Sequence, residues 1–206
     1  MQDKPEATPT TPLLVVLSGP SGVGKDAALL CLKELDRPWH FVVTATTRPK
    51  RPGERDGVDY IFLDTDTFIQ MKERNEFLEC AEVYGRWYGV PRSQVALGMD
   101  AGKDVILKID VQGAETVRRL APEAVFIFIC PGAFDELRGR LAQRMTESSP
   151  EMELRLRVAQ AELGRVNEFD YRVVNHDGGL GRVVADIDAI ITAEKCRVVP
   201  RKVQFT

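Results

Sequence analysis

The residues with the clearest chemical purpose lie between Gly19 and Lys25, in the sequence Gly-Pro-Ser-Gly-Val-Gly-Lys. This G-x-x-x-x-G-K spacing follows a short apolar run, Leu13–Leu17, and precedes an Ala- and Leu-rich run that is typical of a helix. Glycines let successive backbone N–H groups turn inward around a phosphate, and the helix N-terminus adds partial positive charge. Because strand, spacing and lysine coincide, we interpret residues 19–25 as a phosphate-binding loop (P-loop) rather than an ordinary glycine turn.

Two carboxylates are candidates for binding a metal ion beside that phosphate. Asp26 stands where the motif expects Ser or Thr, and a carboxylate there can ligate Mg²⁺ directly because hard cations prefer oxygen ligands. Asp110 follows the apolar run Val105–Ile109, which places it at the end of a core strand, facing the phosphates and their Mg²⁺. A helix-capping role explains Asp110 equally well.

A basic, turn-rich segment at residues 44–60 supplies candidate ligands for a second phosphate. Arg48 and Arg51 lie three residues apart beside small hydroxyl residues, and planar guanidinium groups suit bidentate phosphate binding. The hydroxyl of Tyr60 could add a further donor. A solvated basic loop is the alternative interpretation of this segment.

Further along the chain, Glu79 follows two apolar residues, Phe77 and Leu78, in a strand-like run. Tyr88 lies beyond the end of that run. A carboxylate in that position can accept two N–H bonds from a guanine edge. An ordinary surface glutamate is the alternative.

Five arginines surround a Ser/Thr-rich break between two helical runs, and such a flap could close over phosphates and offset charge during phosphoryl transfer. Helix-surface charge accounts for part of the set. The five are Arg138, Arg140, Arg144, Arg155 and Arg157.

The elements that must position these side chains follow from the apolar pattern. Runs beginning at residues 13, 105, 125 and 171 are short, apolar on both faces and separated by helical patterns, which predicts a parallel sheet with helices on both faces, an α/β fold. The runs between residues 41 and 90 alternate more and are joined by turns, which predicts a small, mostly antiparallel insert. Its expected strands are Phe41–Thr44, Tyr60–Leu63 and Phe77–Val83.

Composition fits this picture and narrows the function. The chain has 206 residues, 44% of them hydrophobic, which suits one domain with a sizeable core. A net charge of −3 gives no basic field for nucleic acid, and no apolar run has membrane-spanning length. The four separated cysteines and the polar, proline-rich residues 1–12 predict a cytoplasmic protein with a disordered leader.

Taken together, these segments resemble the guanylate kinase family. The segments that match its order and spacing are GPSGVGK, TTRPKRPGERDGVDY, FLE, YG, IDVQGA, RMTE and DYRVVN. The resemblance implies a P-loop nucleoside monophosphate kinase fold with a core (residues 13–43, 91–134 and 161–206), a GMP-binding region (44–90) and a helical lid (135–160). It implies Mg²⁺-dependent transfer of the γ-phosphate of ATP to GMP, with dGMP as an expected second acceptor. ATP and GMP are the expected partners, without nucleic acid or membrane, and a homodimer is left open.

The resemblance also assigns roles to single residues. Catalytic roles fall on Lys25, Arg51, Arg144 and Arg155. ATP binding falls on Gly19, Pro20, Ser21, Gly22, Val23, Gly24, Lys25 and Asp26, with Asn175 near the base. GMP binding falls on Thr44, Arg48, Arg51, Tyr60, Glu79, Tyr88, Val90 and Asp110, and metal binding on Asp26 and Asp110.

Three positions at the site depart from the family pattern. Asp26 replaces Ser or Thr, Val90 replaces a hydroxyl residue that bonds guanine, and Lys108 replaces a second acid that many members carry. Two other classes therefore stay open beside the kinase. One is the non-catalytic binding module that this fold forms in scaffold proteins, which lacks the complete P-loop and the phosphate arginines. The other is a nucleoside monophosphate kinase with an altered base preference.

Overall fold

The computed structural model describes residues 11–143 and 149–205. The strands and helices in these ranges alternate along most of the chain, and they are β1 (Leu14–Ser18), α1 (Lys25–Lys33), β2 (Trp39–Phe41), β3 (Ala45–Thr46), β4 (Ile61–Phe62), α2 (Thr65–Glu73), β5 (Phe77–Val83), β6 (Arg86–Pro91), α3 (Arg92–Asp100), β7 (Asp104–Lys108), α4 (Val111–Leu120), β8 (Val125–Pro131), α5 (Phe134–Gln143), α6 (Ser149–Leu163), β9 (Tyr171–Asn175) and α7 (Leu180–Lys195).

A five-stranded parallel sheet in the order β2-β7-β1-β8-β9 forms the centre of the molecule. The central strand shows why both faces had to be apolar. Leu13, Val15 and Leu17 pack into one cluster with α1, α5, α6 and α7, whereas Leu14 and Val16 pack into a second cluster with α3 and α4. Successive side chains of a strand point to opposite faces, so a continuous apolar run is buried twice. The predicted α/β fold is confirmed.

A separate four-stranded sheet in the order β4-β3-β6-β5 lies within residues 44–91 and so occupies the expected GMP-binding region (44–90). Strand β6 pairs antiparallel with β3 and β5, but β3 and β4 pair in parallel, so the sheet is mixed. The strand expected over Phe41–Thr44 is wrong. Residues 39–41 pair with β7 in the parallel sheet, and residues 45–46 belong to the second sheet. The chain changes sheets within a run of β-formers, which local composition does not reveal.

Strand β6 was missing from the predicted insert because it contains Gly89 and ends in Pro91, residues that are depleted in strands. Gly89 has a packing reason. A Cβ atom there would lie 2.8 Å from Cδ1 of Phe77 and 2.9 Å from Cζ of Phe68. The small residue lets the stacked rings of Phe68 and Phe77 pack directly against the strand.

The carboxyl ends of the parallel strands meet at one edge of the sheet, which is where α/β proteins place their ligands. The P-loop follows β1 there, Asp110 lies just beyond β7, and Asn175 ends β9. Helices α5 and α6 fall in the expected lid, whereas Arg144 lies outside the described residues. None of the helices described is both long and apolar enough to cross a bilayer.

Candidate active site

The P-loop has the backbone that its glycines predict. Gly19, Gly22 and Gly24 have φ of +144°, +82° and +104°, values that L side chains adopt only with strain. A Cβ at Gly19 would also lie 2.3 Å from the carbonyl oxygen of Ile129. Lys25 extends its Nζ back across the loop and donates to the carbonyl oxygens of Gly19 and Pro20. The loop is thus closed around its own lysine, at the start of α1.

A second layer of polar contacts holds the loop from behind. Asn175 donates from Nδ2 to the carbonyl oxygen of Val23 at 2.7 Å, and a Cβ at Gly24 would lie 2.5 Å from the same Nδ2. Arg140 donates to the carbonyl oxygens of Val23 (3.2 Å) and Asn175 (3.0 Å). Arg140 was expected only as one of several arginines on the flap, and the structure places it against the P-loop backbone.

Lys108 connects the P-loop helix to the GMP-binding region. Its Nζ donates to Oδ1 of Asp26 at 2.5 Å and to the hydroxyl of Tyr60 at 2.8 Å. Burial of the ammonium opposes its charge, yet the neighbouring Asp26 and Tyr60 leave the pKa of Lys108 raised. Two of the departures from the family pattern, which are 82 residues apart, therefore form one ion pair.

Arg48 is held toward the same place by a residue that sequence reasoning missed. Glu54 accepts a hydrogen bond from Nη2 of Arg48 at 2.7 Å and from the backbone N–H of Arg51 at 2.7 Å. The guanidinium carbon of Arg48 lies 5.3 Å from the centre of the Tyr60 ring. Arg51 itself is exposed. The acid within an arginine-rich turn was the available signal, since Arg48 needs a partner to hold its position.

Tyr60 and Tyr88 lie together, with ring centres 6.3 Å apart in an edge-on arrangement. Tyr88 pairs with Thr46 across β3 and β6, and the backbone of the buried Thr44 accepts from Ile61. The structure therefore brings together Arg48, Tyr60 and Tyr88, three of the four residues on which the resemblance places GMP-phosphate binding.

The side chain of Glu79 is buried, with 5% of the residue exposed. Burial raises the pKa of its carboxyl to about 8, and the negative charge of Asp110 adds to the rise. Gly113 allows the close approach of α4, since a Cβ there would lie 2.7 Å from Oε2 of Glu79. Val90 is directly opposite Glu79 in the β5–β6 register and is fully buried in the second apolar cluster. A ligand edge that satisfies this carboxylate would meet an apolar neighbour.

Asp110 caps α4, accepting from the backbone N–H of Gly113 at 2.7 Å. The capping explanation that the sequence left open is therefore seen in the structure. Asp26 fits a metal ion better, because its side chain is 55% exposed beside Lys25. Among the described residues no group of three or more His, Cys, Asp and Glu is placed to hold a metal. A metal at Asp26 would take its other ligands from phosphate oxygens and water, as Mg²⁺ commonly does.

Helix α6 faces both halves of the site. Its Glu162 accepts from the backbone N–H of Ser21 in the P-loop at 3.3 Å, and the guanidinium carbon of Arg155 lies 5.0 Å from the centre of the Tyr84 ring at the β5–β6 turn. Burial lowers the pKa of Lys25, and the negative charges of Glu162, Asp26 and Asp110 oppose that change. Glu162 was absent from the predicted site.

Comparisons with known proteins identify the family of the chain. A family model described as "Guanylate kinase" matches residues 11–194. "Guanylate kinase 2, chloroplastic/mitochondrial" of Oryza sativa subsp. japonica is 46% identical over 203 residues, which cover 98% of this chain and 71% of that protein. "Guanylate kinase" of Caldanaerobacter subterraneus subsp. tengcongensis is 45% identical over 186 residues, covering 90% and 89%. The crystal structure of guanylate kinase from Anaplasma phagocytophilum matches with a TM-score of 0.76 and 33% identity, covering 92% of this chain and 89% of that one. This chain belongs to the guanylate kinase family.

Proposed function

We propose that the guanylate kinase reaction of this chain, phosphate transfer from ATP to GMP, takes place between the P-loop and the surface formed by Arg48, Tyr60 and Tyr88. The observation that carries this assignment is a continuous line of contacts. It runs from Arg48 to the Tyr60 ring, from the Tyr60 hydroxyl to Lys108, and from Lys108 to Asp26 next to Lys25. Donor and acceptor phosphates bound at its two ends would be neighbours.

The reaction depends on positioning the two substrates and needs no covalent intermediate with the protein. An oxygen of the GMP phosphate is already a nucleophile, so the protein must bring two anions together and offset their repulsion. In our assignment Lys25 binds the transferred phosphate, and Arg48, Arg51, Tyr60 and Tyr88 bind the acceptor phosphate. Arg155 and Arg144 complete the charge from the lid (residues 135–160), with Arg144 outside the described residues.

Guanine selection is assigned to Glu79. A buried carboxylate that accepts two N–H bonds distinguishes guanine from adenine, because adenine offers no matching pair of donors at that edge. Val90 removes the hydroxyl that the family pattern provides, which should weaken discrimination by about 1–3 kcal/mol if a base atom is left unpaired. We therefore expect GMP and dGMP to be preferred over AMP, with a raised KM for GMP.

Mg²⁺ is the proposed cofactor, and Asp26 is the residue that would hold it with the phosphate oxygens of ATP. When bound, the ion would offset phosphate charge during transfer. We also propose that the chain is divided into a core, a GMP-binding region and a lid with the bounds given above, and that the protein is cytoplasmic.

The assignment is tested by an assay of ADP formation from ATP and Mg²⁺ with GMP, dGMP, AMP, CMP or UMP as acceptor. We expect rapid turnover with GMP and dGMP and a much lower kcat/KM with the other three. Arg48→Met should raise the KM for GMP and leave the KM for ATP nearly unchanged, whereas the exposed Arg182→Met on α7 should change neither. Equal turnover of AMP would overturn the guanine assignment, and absence of turnover with every acceptor would favour the binding-module alternative.

A further inference from the structure

Two separate departures from the family pattern meet in this structure. The pattern has a hydroxyl residue at position 26 and often an acid at position 108, whereas this chain has Asp26 and Lys108. The two side chains form a close ion pair, with Lys108 11% exposed and Asp26 largely open to solvent. Since a buried lysine needs a partner for its charge, the carboxylate at position 26 accounts for the lysine at position 108.

The second contact of Lys108, with Tyr60, indicates what a lysine at position 108 does. Its ammonium donates to the Tyr60 oxygen at 2.8 Å and lies 4.4 Å from the centre of the Tyr60 ring. An ammonium has only donors, so the tyrosine oxygen acts as the acceptor and its own hydrogen remains available for another partner. The carboxylate of Asp26 then fixes the ammonium from the other side.

We propose that Lys108, held by Asp26, is a positioning residue for the acceptor phosphate that orients the hydroxyl of Tyr60 to donate to the phosphate of GMP. This inference rests on the proposed role of Tyr60 as a GMP-phosphate ligand. An acid at position 108 could only accept from the tyrosine, which would use up the hydrogen that the phosphate needs.

The test compares the binding of GMP and guanosine by calorimetry, without ATP or metal, for the parent chain and for Lys108→Met, Tyr60→Phe and the double variant. We expect Lys108→Met to weaken GMP binding roughly tenfold. Guanosine binding should not change, because guanosine has no phosphate. Tyr60→Phe should weaken GMP binding similarly, and Lys108→Met should have little further effect in the Tyr60→Phe background.

The matched control is Lys103→Met, which removes the same charge from an exposed residue just before the other end of β7 and should leave both affinities unchanged. A parallel loss of guanosine binding in Lys108→Met would show a structural role and overturn the inference. Additive effects of the two substitutions would also overturn it, because Lys108 would then act independently of Tyr60. If Tyr60→Phe weakens GMP binding and Lys108→Met does not, only the inference fails. If Tyr60→Phe has no effect, the assignment of Tyr60 in the proposed function is wrong as well.

Discussion

Glu79 has to satisfy two opposing requirements. To read guanine it must be ionised, but the apolar surroundings that exclude water also favour its neutral form, so its pKa rises to about 8. A carboxyl whose pKa is higher in the folded than in the unfolded protein stabilises the fold at low pH. That stability is lost as the pH rises from about 4.5 toward 8. In the proposed function, recognition of the base is therefore obtained at the expense of folding free energy near neutral pH.

Glu79→Gln tests both sides of this conflict. The free energy of unfolding of the parent should fall relative to the variant between about pH 5 and 8, by at least about 1 kcal/mol, because the unfolded parent releases the Glu79 proton in this range whereas the folded parent retains it. GMP binding by the parent should strengthen between about pH 6.5 and 8, while the variant binds weakly and without that dependence. Urea unfolding and calorimetry over this range measure the two quantities. Glu82→Gln, on the exposed face of β5, is the control, and a parent that behaves like Glu79→Gln would contradict the prediction.

Asp26→Ser tests the metal assignment. In the parent, the ion pair with Lys108 offsets the charge of the Asp26 carboxylate only in part, and the remaining charge lies next to the proposed site of the ATP phosphates, so the reaction should need a high Mg²⁺ concentration. A serine removes that charge, and we expect half-maximal activity at a severalfold lower Mg²⁺ concentration. The measurement is a Mg²⁺ titration at fixed ATP, with the exposed Asp36→Ser as control. Indistinguishable curves for Asp26→Ser and the parent would mean that Asp26 does not contact the metal.

Residues whose role is local were predictable, and those whose role depends on a distant partner were not. The P-loop glycines follow from the positive φ that the turn requires, and the Arg48–Tyr60 group lies within one segment of sequence. The sequence marked Asp26 and Lys108 only as two separate departures, since nothing local indicates that residues 82 positions apart are hydrogen-bonded. Glu162 had no motif signal and needed the docking of α6 to become visible.

Elements buried on both faces were the easiest to predict. The apolar runs that form β1, β7 and β8 have this burial and predict three neighbouring strands of the parallel sheet. The run that forms the edge strand β9 was expected to be apolar on both faces, but Arg172 in it is exposed. The short strands between residues 39 and 62 were not predictable in detail, because two or three residues carry too little periodicity. Their assignment depends on pairing with β7 in one sheet and β6 in the other, which is tertiary information.

Helix α3 illustrates how a single glycine controls the distance between elements. A Cβ at Gly98 would lie 2.6 Å from Cγ2 of Val105 and 2.7 Å from Cδ2 of His40, so the helix packs closely on β7 and β2. Gly98→Ala should reduce the free energy of unfolding by about 1–3 kcal/mol, because a well-packed interior resists added volume. Gly139 on α5 has no atom within 4 Å of its Cβ position, and Gly139→Ala should add about 0.5–1 kcal/mol. Urea unfolding of both variants checks the pair, and equal effects would show that propensity outweighs packing at Gly98.

At the scale of the whole molecule, α6 contacts both parts of the proposed site. Glu162 contacts the P-loop and Arg155 lies over Tyr84 at the β5–β6 turn, so one helix would be next to both nucleotides of the proposed reaction. These two residues of the helix carry opposite charges, so they would act in opposite ways on a phosphate. The arginine would attract phosphate. The Glu162 carboxylate, in contrast, accepts from the backbone N–H of Ser21, and P-loops use such N–H groups to bind phosphate. We therefore expect binding of ATP to displace the Glu162 carboxylate from the Ser21 N–H or to neutralise it.

Removal of the Glu162 charge should consequently strengthen ATP binding. Burial raises the pKa of the Glu162 carboxyl, and the positive charge of Lys25 opposes that rise. When it is ionised, Glu162 therefore attracts the same lysine that is proposed to bind the phosphate of ATP. Glu162→Gln removes this negative charge, so we expect the dissociation constant for ATP to fall severalfold. Binding of GMP should not change, because Glu162 contacts the P-loop and not the residues assigned to GMP. Calorimetry with ATP and with GMP measures both affinities. Glu153→Gln, an exposed position on the same helix, carries the same change in charge and should alter neither. Weaker ATP binding in Glu162→Gln would show instead that the carboxylate supports Lys25, and α6 would then assist the P-loop rather than compete with the phosphates for it.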